Sequence, residues 1–186
     1  FDNGVANWTA FREDHNRPGD PTDPYDSVAL QYDNGTARLD FTVQGQGLAY
    51  RNGAYLRSPE WFDPIDLTDM ALSFRVKLDV LPPTYVDPAD GLTKAEKAIE
   101  VWLIDYNNDV MAWSVGYLVT VANQWTDITL PPSEGIYYGG WDGAKDGFQW
   151  DQVRAVQFRV ANAKADSPAY TGSMWIDDIQ VLPWVS

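Results

Sequence analysis

The stretch VALQYDNGTARLDFTV, residues 28–43, decides the fold class. Val28, Leu30 and Tyr32 alternate with other residues, Asp33-Asn34-Gly35 interrupts, and Ala37, Leu39, Phe41 and Val43 resume the alternation. Successive side chains of a strand point to opposite faces, so a period of two predicts two half-buried strands. Asn-Gly between them is a strong hairpin signal, because both residues tolerate positive φ. The same period recurs outward along the chain. Leu72, Phe74, Val76, Leu78 and Val80 form one face, with Ser73, Arg75, Lys77 and Asp79 opposite. Residues 98–106 and 110–119 flank Asn107-Asn108-Asp109, a second hairpin. WTDITL at 125–130 is short and strand-like, and 153–160 sets Val156, Phe158 and Val160 against Ala155, Gln157 and Arg159.

About ten strands with Gly, Pro and Asn turns and no long helix predict an all-β chain, an antiparallel β-sandwich of jelly-roll type. Only LTKAEKA at 92–98 looks helical, with Thr93 and Glu96 in capping-box spacing. The 186 residues read as a single domain, 1–186, with irregular loops at 14–26 and 81–91.

Composition excludes several functions. Twenty-seven acidic against thirteen basic residues give a net charge of −14, a poor match for nucleic acid or an anionic membrane. Strongly anionic polysaccharides are disfavoured for the same reason, although a local basic patch overrides a net field. The absence of cysteine removes disulfides, thiol nucleophiles and cysteine-ligated metals. No apolar run approaches the roughly 20 residues of a membrane helix. The chain begins at Phe1 without a visible signal peptide, as expected of a mature or excised piece. Histidine occurs once, His15, in a polar loop, and no GxSxG turn accompanies it. A serine triad and a three-nitrogen zinc site are therefore not expected. A glycosidase needs only two carboxylates, and nothing in the sequence marks such a pair.

The last strand, MWIDDIQVL at 174–182, carries two adjacent acids. Trp175, Asp177, Ile179 and Val181 share one face and Ile176, Asp178, Gln180 and Leu182 the other. The first set is the more apolar, so Asp177 is expected on the core side. A buried carboxylate is costly unless it is paired or holds a metal.

Aromatics make up 14% of the chain, more than a core of this size demands. An aromatic ring offers the CH face of a sugar a flat platform while neighbouring polar groups bond its hydroxyls. The run GIYYGGWDG at 135–143 sets Tyr137, Tyr138 and Trp141 among glycines without core periodicity. On strand 98–106, Glu100, Trp102, Ile104 and Tyr106 share a face, and Val101, Leu103 and Asp105 share the other. Trp102 and Tyr106 are then either exposed platforms or core. Trp113 and Tyr117 pose the same choice. Arg75, Lys77, Gln157 and Arg159 lie opposite their strands' apolar faces and would form a row of donors if the two strands belong to one sheet.

Three stretches resemble the β-sandwich carbohydrate-binding modules, jelly rolls attached to secreted polysaccharide-degrading enzymes. FDNGVANW at 1–8 resembles their first strand, QWTDITLP at 124–131 their Trp-x-x-hydrophobic strand, and 153–183 their last two strands ending in Ile-Asp-Asp-Ile. The resemblance implies a structural calcium bridging first and last strands, with Asp2 and Asp177 as ligands and Asp178 as the alternative. It implies core roles for Trp8 and Trp125, and a concave, aromatic-lined cleft. Residues 81–98 read as an inserted loop at one end of it. The implied protein is an extracellular, monomeric, non-catalytic module, covalently linked to a catalytic domain and binding a polysaccharide. A neutral β-glucan suits the acidic surface best, and a marine galactan comes second. The alternatives are a jelly-roll glycoside hydrolase or lyase, and a purely structural sandwich domain.

Overall fold

The computed structural model describes residues 7–13, 27–44, 53–61, 63–86, 93–94, 98–139, 143–161 and 169–184. Thirteen strands run through them in chain order: β1 (Thr9–Glu13), β2 (Ser27–Asp33), β3 (Thr36–Val43), β4 (Gly53–Arg57), β5 (Met70–Leu78), β6 (Tyr85–Val86), β7 (Thr93–Lys94), β8 (Ile99–Asp105), β9 (Val110–Ser114), β10 (Thr126–Leu130), β11 (Ile136–Tyr138), β12 (Val153–Val160) and β13 (Tyr170–Pro183). A six-stranded antiparallel sheet has the order β1-β4-β12-β8-β9-β11, and a five-stranded one the order β10-β5-β13-β3-β2. Among the described residues there is no α-helix. The fold is a β-sandwich, as the period of two predicts.

The 28–43 hairpin forms in the expected register, Leu30 opposite Leu39 and Asp33 opposite Thr36. Asn34 (φ 49°) and Gly35 (φ 88°) make its turn in the left-handed region that Asn and Gly tolerate. Leu39, Phe41, Phe74, Val76, Met174 and Ile176 of the five-stranded sheet meet Leu56, Val101, Leu103, Val156 and Phe158 of the other. Phe74 and Phe158 touch edge to face at 5.1 Å across the two layers. Truncating either ring to alanine would cost about 3–5 kcal/mol.

The structure corrects several expectations. In β13, Met174 and Ile176 are the core residues, so Trp175 and Asp177 point outward and the assigned faces are reversed. The alternation then breaks, because the pairing with β5 slips between Asp177 and Gln180 and Asp178 adopts φ 50°. Such a bulge re-aims the strand beyond it. Thr93–Lys94 is a strand paired with Tyr85–Val86 rather than the start of a helix. Trp8 packs against the core as the resemblance implies, whereas Trp125 stands on the outer face of the five-stranded sheet. Val80 is exposed beyond the end of β5. Trp113 is settled as core, its indole N–H donating to the Pro131 carbonyl at 2.9 Å.

Candidate functional site

Strand pairing sets out the outer face of the six-stranded sheet row by row. One row runs Phe11, Tyr55, Arg159, Glu100, Ser114 across β1, β4, β12, β8 and β9. The next runs Thr9, Arg57, Gln157, Trp102, Ala112, Ile136. The third holds Ala155, Ile104, Val110 and Tyr138. Polar and aromatic groups thus fill the first two rows, and an apolar cluster of Ile104, Val110, Ala112 and Ala155 with Trp102 packed on it fills the rest.

An ion pair anchors the polar half. Arg159 Nη1 donates to Glu100 Oε2 at 2.7 Å, with both side chains close to nine-tenths buried. The Trp102 indole N–H donates to the same oxygen at 3.3 Å. The Arg159 guanidinium lies 5.7 Å from the Tyr55 ring centre and 5.9 Å from that of Trp102, and Phe11 stacks on Tyr55 at 4.9 Å. Burial works against the Arg159 charge, but Tyr55 and Glu100 outweigh it and hold its pKa above the ordinary value. Gln157, between Arg57 and Trp102, is 4% exposed, and its side chain makes no hydrogen bond with a described residue. Ile136 and Tyr138, about half exposed, lie on edge strand β11 at the far side of the sheet, beyond β8 and β9.

One end of this sheet is organised by two buried carboxylates. Asp105 Oδ1 accepts the N–H groups of Asn107 and Asp109, closing the β8–β9 turn, and its Oδ2 accepts Gln149 N–H at 3.0 Å. Asp109 accepts Lys145 N–H, Asp146 N–H and the Tyr137 hydroxyl, which in turn accepts Gly147 N–H. Burial pushes the Asp109 carboxyl up, but the Lys145 N–H, the Tyr137 hydroxyl and the Asp146 and Gly147 N–H groups outweigh it and leave the group below its ordinary pKa. The same contact helps raise the Tyr137 phenol, after burial as the larger cause. Residues 143–149 are thereby tied to β11 and to the hairpin tip.

The expected site residues divide accordingly. Trp102, Tyr138, Gln157 and Arg159 share the outer face of the six-stranded sheet. Tyr137 belongs to the same edge strand but spends its hydroxyl on Asp109. Tyr106 is exposed just past the end of β8. Trp141 lies outside the described residues. Arg75 and Lys77 belong to β5 in the other sheet, so the expected row with Gln157 and Arg159 does not form. Tyr55, Glu100 and Arg57 were missed as site residues. The signal for β4 was the alternation of Tyr55 and Arg57 with Ala54 and Leu56, short and masked by four consecutive buried positions.

Lys77 instead belongs to a row Lys77, Trp175, Arg38 and Gln31 on the five-stranded sheet, and the Trp125 ring lies against both Lys77 and Arg75. Lys77 Nζ sits 5.2 Å from the Trp125 ring centre and 4.3 Å from that of Trp175, whose other neighbour is the Arg38 guanidinium at 5.3 Å. The Trp175 indole donates to Asp33 Oδ2 at 2.8 Å. Beside this row a depression of about 400 Å³ is lined by Ser27, Thr42, Thr171, Ser173, Asp40 and Asp79, among others. Its polar groups largely bond one another: Ser173 donates to Asp40 and Asp79, Arg38 and Gln31 to Asp40, and Thr42 meets Thr171.

Asp177 and Asp178 both face Arg75, at 3.6 and 3.2 Å. The guanidinium already balances them, and among the described residues no group of three or more acidic or histidine side chains gathers around a common point. Asp2 lies outside the described residues. As placed, Asp177 and Asp178 serve Arg75.

No protein-family model matches the chain, and no curated protein matches it in sequence. Solved structures match its fold. The chain is similar to CtCBM11, a solution structure accompanied by dynamics and binding studies, with a TM-score of 0.61 and 14% identity over 98% of this chain and 92% of that one. It is also similar to part of an exo-beta-agarase (TM-score 0.55, 11% identity, 100% of this chain) and part of PfGH50B (TM-score 0.52, 11% identity, 96% of this chain). It spans 24% and 23% of those two chains.

Proposed function

We propose that the chain is a non-catalytic carbohydrate-binding module whose ligand lies across the outer face of the six-stranded sheet. The observation that carries this reading is the row Arg57, Gln157 and Trp102 beside the buried Arg159–Glu100 pair, in which the Gln157 amide bonds no described residue. Trp102 and Tyr138 supply apolar surface for sugar CH faces, and Gln157 and the ion pair supply hydrogen bonds to hydroxyls. The fold shared with CtCBM11 supports the reading. The proposed main chain is neutral, a β-glucan first and a galactan second, because a net charge of −14 repels a densely anionic polymer. Glu100, the acid at the centre of the face, already serves Arg159 and Trp102, which weighs against a role as general acid in a hydrolase. An extracellular module tethered to an enzyme would raise the enzyme's local concentration at the polymer, so each sugar contact can be weak.

Native affinity electrophoresis against a panel of soluble polysaccharides tests this, with reducing ends and unsaturated products assayed in the same mixtures. Retardation without products is the expected result. Product formation would overturn the non-catalytic reading. Neither retardation nor product across glucans and galactans would favour a structural domain.

A further inference from the structure

The remaining charges on the six-stranded face are unevenly neutralised. Arg57 Nη2 lies 3.0 Å from Glu60 Oε1, and Arg154 Nη1 lies 3.5 Å from Glu60 Oε2. Two guanidiniums therefore share one carboxylate, and that carboxylate's side chain is 56% exposed. Arg154 reaches this position through a bulge: the pairing of β12 with β8 slips between Val153 and Ala155. Its other amino group bonds Asn108 at the hairpin tip, while its Nε is buried without a partner among the described residues. Burial lowers the Arg57 pKa below its ordinary value, and the neighbouring Arg154 adds to that despite Glu60. Like charges held together with one counter-charge between them favour a second anion. Arg57 directly adjoins Gln157 in its row, so this anion would sit next to the proposed sugar face.

We propose that Arg57 and Arg154 form a subsite for an oxyanion carried on an otherwise neutral polysaccharide, a uronosyl carboxylate above all, with Glu60 as its intramolecular stand-in. The inference rests on the proposed sugar face and names the class of chain that face selects. Guanidiniums match a planar carboxylate through paired N–H donors, and Glu60 shows the geometry that the ligand group would take over. Being largely exposed, Glu60 can swing into water at little cost. A sparse acidic substituent also meets the charge constraint: one local contact is rewarded, whereas a polymer charged at every residue meets the acidic surface at many points.

The test compares a glucuronosyl-branched xylan with the same polymer after its carboxylates are reduced to alcohols, by affinity electrophoresis and calorimetry. The unreduced polymer should bind about tenfold tighter, and the difference should shrink at high salt. Arg57→Gln or Arg154→Gln should abolish the difference between the two polymers. Glu60→Gln should act in the opposite direction and tighten binding of the acidic polymer, because it removes the competitor. A merely structural network would weaken under all three substitutions, so the opposed signs keep the proposal falsifiable even if one arginine variant folds poorly. Tighter binding of a sulfated galactan than of its desulfated form would identify the oxyanion as sulfate. Equal binding of both members of each pair by the wild type would overturn the subsite while leaving the sugar face intact. Binding of a neutral β-glucan alone, with none of the four polymers bound, would overturn the subsite; failure to bind the β-glucan as well would remove the sugar face and the subsite together.

Discussion

The two outer faces of the sandwich are built from the same residue types and differ in what is already satisfied. On the five-stranded sheet, tryptophans and cations alternate across neighbouring strands, so that Lys77 fills the gap between Trp125 and Trp175 and Arg38 covers the far side of Trp175. The adjoining depression is likewise largely closed by its own hydrogen bonds. On the six-stranded sheet the Trp102 row contains Gln157, whose side chain bonds no described residue, and Arg57 with only a shared carboxylate. An aromatic ring beside a cation is therefore no mark of a binding face. The informative quantity is the unmet hydrogen-bonding capacity beside the ring, which a protein keeps at a cost in stability.

The largest expected effects separate the faces. Trp102→Ala should weaken binding of the cognate polymer by roughly 2 kcal/mol, about thirtyfold, as expected for a central aromatic contact. Calorimetry checks it. An unchanged affinity would return Trp102 to a packing role and move the ligand elsewhere. Trp175→Ala should do the reverse and leave affinity unaltered. It should cost stability by about 1–2 kcal/mol, since two cation–ring contacts and the Asp33 hydrogen bond are lost together. A Trp175→Ala protein of normal melting temperature and lost affinity would exchange the roles of the two faces.

Asp109 sharpens the comparison at the end of the six-stranded sheet, where the tie to Tyr137 fixes the strand that carries Tyr138. Its carboxyl is held below the value of about 3.9 that it would have unfolded. It therefore contributes stability that is fully present above about pH 4 and is lost as the pH falls through its lower folded value. The wild-type melting temperature should drop more steeply below about pH 4 than that of Asp109→Asn, whose amide has no proton to gain there. Identical acid profiles would show that the buried carboxylate does not couple to folding in this range.

What was legible in the sequence was the phase of uninterrupted strands. Asn34-Gly35 and the alternation around it determine a local hairpin, and the faces of β12 follow from a run that is regular from Ala155 onward. Long-range pairing was not legible. Nothing in the β5 and β12 sequences says that Arg75 and Gln157 lie in different sheets, because sheet membership is settled by neighbours distant in the chain. The faces of β13 were misread for a local reason. A tryptophan was counted as apolar and therefore inward, although Lys77 and Arg38 stabilise Trp175 on the outer face. The bulge at Asp178 then shifted the phase of everything beyond it, so Ile179 could pack against the core without sharing the face of Trp175. Arg57 and Arg154 were hidden in a different way. Their significance lies in sharing Glu60, a relation between two segments distant in the chain that no periodicity records.

The smallest expected effect concerns Asp177. With its carboxylate on the outer face against Arg75, Asp177→Ala loses one partly exposed ion pair, for which a change of about 0–1 kcal/mol is typical, and Asp178 remains to balance the guanidinium. On this geometry a chelator should leave the melting temperature of both wild type and variant where it was. A chelator-induced fall in the wild type that is absent in Asp177→Ala would mean that the carboxylate leaves Arg75 for a calcium ion. That result would bring Asp2 and the first strand into the site. It would also break the contrast between the faces, since the five-stranded sheet would then hold an unmet ligand capacity of its own.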